Sequence, residues 1–256
     1  MFAKALIMGS SQGAVPLWTP AELGASLAMW LDADDASTIT LSGSNVTQWD
    51  DKSGNGKDVS QGTASRQPTY DAVNKVITFD GTDDVLVRTD SLILGGANRS
   101  IFFVSQSAFG GYAFDHGEEG YGGGRYSIRP NTGFIGFYLR NLQWSTIGDA
   151  NLGIFEFVQT GSTTSNVSGY WNGQLYSRTG AAGLGGAIDT RNDRITVGAA
   201  VSLTATLDGD IAEVVVVNTD TDTATREKIE GYLAWKWGLE GNLPVSHPYK
   251  SAPPQL

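Results

Sequence analysis

The chain contains no cysteine. Disulfide bridges, zinc-thiolate centres and thiol nucleophiles are therefore excluded, and the fold persists on packing alone. Histidine is nearly as scarce, with His116 and His247 the only two. Basic residues are the minority charge: 17 Lys and Arg stand against 27 Asp and Glu, for a net charge of −10. Such a surface repels phosphate backbones and anionic lipid, which argues against nucleic acid and membrane as partners. No apolar run approaches the roughly 20 residues that span a bilayer. The run at residues 2–8 is also too short for the core of a secretory signal.

Glycine is plentiful, with 33 residues spread along the chain. Many short strands joined by tight turns have this distribution, whereas a linker would concentrate it. Residues 75–87 read as two apolar strands about Asp80-Gly81. The run SIFFVS at 100–105 reads as a buried central strand, and 126–128, 133–139 and 194–198 as further strands. Residues 110–124 form a glycine-rich excursion between them. In 153–159, Ile154, Glu156 and Val158 alternate with Phe155 and Phe157, so the two sets face opposite ways. Asn172-Gly173 between apolar flanks predicts a hairpin, because both residues tolerate positive φ. Four consecutive valines in 210–218 predict a strand buried on both faces.

One helix is predicted over 223–238, with Asp222 as its N-cap and Gly238 as its stop. At 100° per residue, Ile229, Tyr232, Leu233, Lys236 and Trp237 share a face suited to covering a sheet, with Trp235 off to one side. The pattern is all-β: a two-sheet antiparallel β-sandwich, or jelly roll, with one C-terminal capping helix. Residues 1–17 are expected to form an anchoring arm through Phe2, Leu6 and Ile7. Residues 18–240 form the sandwich, and the proline-rich 241–256 an extended tail.

The stretches WLDADD, QWDDKSGNG, ITFDGTDDVL, YWNGQLY, GDIAEVVVVN and IEGYLAWKWG occur in this order over about residues 18–250. Together they resemble the concanavalin A-like lectin/glucanase superfamily in its laminin-G-like jelly-roll form. The QWDDKSGNG and YLAWKWG stretches resemble domains of bacteriophage structural proteins and of large bacterial surface proteins. The resemblance implies the sandwich and does not by itself imply an activity.

Glycoside hydrolysis needs two carboxylates aimed at one bond. Hydrolases of the resembled superfamily carry them as E-x-D-x-x-E or E-x-D-x-E, and neither motif occurs here. Glu118 and Glu119 are adjacent and so diverge on a strand, while Glu156 and Glu213 each stand alone. Asp115 and His116 are sequence neighbours and so are not expected to form a dyad. These features predict a protein without enzymatic activity.

Calcium is the candidate cofactor, with Asp80, Asp83 and Asp84 as its ligands, since hard cations collect carboxylate oxygens. A glycan would use aromatic platforms beside polar groups: Tyr112, Asp115, Tyr121, Arg125 and Tyr126 around the glycine-rich excursion, with Trp144 as a second platform. The leading expectation is a structural protein of a phage virion, on the head, tail or fibre. It would be assembled in the host cytoplasm beside other virion proteins, as a homo-oligomer such as a trimer held by the apolar arm. The alternatives are a glycan-binding module for host recognition or bacterial cell-surface adhesion, and a degenerate glycoside hydrolase.

Overall fold

The computed structural model describes residues 15–120, 124–129, 151–178 and 185–256, with the side chains of 107–109 left aside. Its centre is the eleven-residue strand Arg99–Phe109. This strand pairs antiparallel with Asp208–Val217 on one side and Gly153–Gln159 on the other. Beyond Gly153–Gln159 lie Val167–Trp171 and Gln174–Tyr176. Beyond Asp208–Val217 lie Leu27–Asp32 and Val76–Asp80, which share its far edge. A second leaf runs Arg125–Ile128, Phe114–Gly117, Arg194–Val197, Leu86–Arg88, Val59–Ser60, Asn45–Trp49 and Ile39–Ser42. The short strand Thr69–Asp71 bridges the leaves, so one hydrogen-bonded sheet folds over itself.

The alternation of side chains fills the space between the leaves. Ile101, Phe103, Val214 and Val216 point inward and meet Trp49, Leu86, Phe114, Ile195 and Val197 from the other leaf. Phe103 stacks on Phe155 with ring centroids 4.9 Å apart. The opposite set, Phe102, Val104, Val215, Val217 and Ile154, points outward and is covered by the helix through Ile229, Leu233, Ala234 and Trp237. This is why the valine run is apolar at every position. Each fully buried side chain of this kind contributes about 1.5–3 kcal/mol by leaving water.

The α-helix spans Thr223–Trp237. The Asp222 side chain accepts from the Thr225 amide, and Gly238 closes the helix at φ 71°. A left-handed residue there favours glycine. The 15-residue helix is not long and apolar enough to cross a membrane, and no other described helix is.

Residues 75–87 form the two strands expected, Val76–Asp80 and Leu86–Arg88, which lie on different leaves, so the turn between them is a crossing. One local expectation is corrected. Residues 110–124 are not all excursion. Phe114–Gly117 pairs with Arg125–Ile128 in the interior, because Phe114, Tyr126 and Ile128 supply its apolar contacts. The predicted strand at 133–139 and the arm residues Phe2, Leu6 and Ile7 lie outside the described residues.

Candidate functional site

The Asn172-Gly173 turn joins Val167–Trp171 to Gln174–Tyr176, with φ values of 49° and 74°. The predicted hairpin is thus present, and both residues hold the positive φ that such turns require. Asn172 also extends the sheet: its amide donates to the Ile154 carbonyl, and its side-chain oxygen accepts from the Ile154 amide, both at 2.9 Å. Trp171 lies opposite Phe155, with its indole over Gly153. A side chain at 153 would begin 2.3 Å from Trp171 Nε1, so glycine sets where the indole lies.

Beside this turn opens a cleft of about 570 Å³. Gln106, Asn151, Leu152, Trp171, Asn172, Leu239 and Asn242 line it. Three further carboxamides thus join Asn172 around one half-buried indole. Carboxamides both donate and accept, and a cleft of this size with few convergent polar groups is the usual form of a small-ligand site.

Behind the turn lies a buried ionic group. The Gly173 amide donates to Glu156 Oε1 at 3.3 Å. Arg226 pairs with Glu230, and its Nη1 lies 3.8 Å from Glu156 Oε2. His247 Nε2 meets Glu230 Oε2 at 2.8 Å. Arg226 also stacks over the Tyr170 ring, 4.2 Å from its centroid. Both carboxyls are wholly buried. Burial, followed by the neighbouring Glu230, pushes Glu156 well above the usual carboxylate range. Glu230 is held below it: burial opposes, but hydrogen bonds from Glu156 and His247 and the charge of Arg226 outweigh that. The sequence displays Glu156 as an isolated acid and gives Glu230 no distinction. Its one signal is the i,i+4 spacing from Arg226 on a helix.

The residues expected to bind a glycan occupy other places. Tyr112, Asp115, Arg125 and Tyr126 are buried, not exposed as platforms. Asp115 Oδ2 accepts from Arg125 Nε at 2.5 Å and from the Val201 amide, and Oδ1 accepts from Ser127. Burial pushes its carboxyl up to about 7, with Arg125 pulling the other way. His116 faces away from Asp115 and meets Arg99 at 3.3 Å. Tyr112 lies under the Arg125 guanidinium. Tyr121 and Trp144 lie outside the described residues.

Glu213 is also interior. It accepts from Trp30 Nε1, Trp237 Nε1 and Tyr232 Oη at 2.7–2.9 Å and pairs with Lys236 at 2.9 Å. Lys236 in turn reaches Asp32. Trp235 packs on the tail, with Nε1 donating to the Tyr249 carbonyl at 2.8 Å. The groove beside it, among Trp18, Tyr232, Trp235 and Pro254, holds about 150 Å³ and is mostly apolar, so it offers a saccharide few polar partners. Asp80, Asp83 and Asp84 do converge, with ligand oxygens within 4.8 Å of one another. Calcium takes six to eight oxygens, so this triad would supply only part of a shell.

No family model and no curated protein sequence matches the chain. Solved structures do. A Trypanosoma rangeli sialidase aligns at 13% identity and TM-score 0.54, over 93% of this chain. This chain spans 37% of the sialidase's length. A GH54 α-L-arabinofuranosidase aligns at 12% identity and TM-score 0.50, over 75% of this chain and 51% of the other. Likeness at this identity shows the sandwich fold. It also corrects the leading expectation. The sialidase and the arabinofuranosidase are carbohydrate-active enzymes and not virion components, so the non-enzymatic virion protein is set aside. The expectation of a protein without enzymatic activity, drawn from the missing E-x-D-x-E motif, is set aside on the same finding, although the match covers only part of each enzyme.

Proposed function

We propose that the chain is a glycoside-hydrolase-like, carbohydrate-directed β-sandwich whose saccharide site is the Trp171 cleft. The observation that carries this reading is one indole beside four carboxamides in a cleft of about 570 Å³. A sugar presents apolar C–H faces to an aromatic ring and hydroxyls that donate and accept, and this lining matches both. The sialidase and arabinofuranosidase folds support the reading, as does the sequence resemblance to concanavalin A-like lectins and glucanases.

The test is direct binding of the whole chain to a sialoside and to 4-nitrophenyl α-L-arabinofuranoside, followed by titration calorimetry. Trp171→Ala is expected to lower affinity for the bound sugar at least tenfold. Equal affinity in the variant and the parent would remove the cleft from consideration.

A second reading, hydrolysis at the same cleft, is favoured by the likeness to part of a sialidase and of an arabinofuranosidase. Glu156 and Glu230 lie buried behind the turn and are not among the residues that line the cleft, so this reading does not assign them as its acid and base. Release of nitrophenol by the parent and its loss in Trp171→Ala would establish it. A chain that binds sugar without releasing nitrophenol or sialic acid would restrict the function to recognition.

A further inference from the structure

The wall of the cleft and the buried ionic group are parts of one turn. Asn172 faces the cleft, while Gly173 faces the carboxyls. A Cβ at Gly173 would lie 3.1 Å from Glu230 Oε2 and 3.3 Å from His247 Cδ2. The turn therefore rests on the carboxyl pair with no space between.

The charges of that pair do not balance without a proton. Glu156 comes from strand Gly153–Gln159, and Tyr170 faces it from Val167–Trp171. The helix brings Arg226, Glu227 and Glu230, and the tail brings His247 and Tyr249. One guanidinium serves two fully buried carboxyls and pairs closely with only one of them, Glu230. Glu156 Oε1 has the Gly173 amide, but Oε2 has no donor among the described residues. An oxygen without a donor, beside another carboxylate, is where a proton resides, because two bare charges in a dry site repel at great cost.

We propose that Glu156 and Glu230 share one proton and that this pair positions the Asn172-Gly173 turn, so that losing the proton displaces the turn and with it the cleft wall. Glu156 and Glu230 are then positioning residues for the saccharide site. The consequence for affinity rests on the reading of the cleft given above, whereas the positioning of the turn does not.

The experiment uses the full chain labelled with ¹⁵N, free of sugar, and follows the Gly173 amide resonance as pH rises from 5 to 9. A single transition is expected, on the alkaline side of the ordinary carboxylate range. Glu156→Gln, which keeps an acceptor but carries no titrating proton, is expected to abolish it. Gly173→Ala presses on Glu230 and is expected to shift the transition, which gives a second variant should the first not fold. A resonance indifferent to pH, or one that titrates unchanged in Glu156→Gln, overturns the proposal. The same titration is then read as affinity for 4-nitrophenyl α-L-arabinofuranoside. A fall of fivefold or more through the same transition, absent in Glu156→Gln, supports the link to the cleft. A Gly173 transition in a chain that binds no sugar supports the positioning and overturns only the saccharide reading.

Discussion

Glu213 has four donors around one carboxylate: Trp30 Nε1, Trp237 Nε1, Tyr232 Oη and Lys236 Nζ. Removing the acceptor strands both indole N–H groups, while Lys236 keeps Asp32 and Tyr232 Oη keeps Lys236. Glu213→Ala is expected to cost about 3–5 kcal/mol in urea unfolding, as for other broken buried pairs. Glu213→Gln, which keeps an acceptor, should cost less. Asp84 gives the opposite case. Burial, with Asp80 and Asp83 beside it, pushes its carboxyl up to about 6, whereas an unfolded Asp titrates near 3.8. The folded state then binds the proton more tightly, so its stabilising effect is full below pH 3.8 and is lost as pH rises through 6. Asp84→Asn should therefore raise the melting temperature at pH 8 and leave it nearly unchanged at pH 3.5, which thermal unfolding at the two pH values checks. Neither environment could be read from the sequence. A charged letter signifies solvent by default, and only the fold shows that Glu213, Glu156 and Asp115 face donors instead of water.

Elements were more legible, because their signals are local. The Asp222 cap, the Gly238 stop and the Asn172-Gly173 turn follow from residues within four positions of one another. Asp222→Ala removes the acceptor for the Thr225 amide and should cost about 1 kcal/mol, measured by denaturant midpoint. The helix face was only half legible. Ile229, Leu233 and Trp237 are buried as expected, but the buried stripe turns toward Arg226 and Glu230, and Tyr232 and Lys236 lie at its margin. Arg226 and Glu230 enter the interior as a pair, because Glu156 and His247 await them on the sheet and the tail. Partners more than ten residues away leave no trace in a helical wheel. The glycine-rich excursion misled for a related reason. Tyr126 and Ile128 read as a strand, but its partner Phe114–Gly117 was hidden among turn-forming glycines.

At the scale of the molecule, the sandwich and its capping helix followed from strand number, turn spacing and the fully apolar valine run. The candidate site did not. Its cleft draws on residues 106, 151–152, 171–172, 239 and 242, which only the folded chain assembles. The tail is an integral part of this assembly: it supplies His247 to Glu230 and the Tyr249 carbonyl to Trp235, and Tyr249 packs against Gly231. Deleting residues 247–256 should lower the melting temperature by several degrees and expose Trp235, seen as a red shift in its fluorescence.

The same tail returns to residues 16–18. Leu17 bridges Gln255, the Trp18 amide donates to the Pro254 carbonyl, and the Leu256 amide donates to the Pro16 carbonyl. Residues 16 and 256 therefore leave this clasp at the same end. Tension applied between those two points would load its bonds one after another, as a zipper opens. Until the clasp parted, the sheets behind it would bear no force.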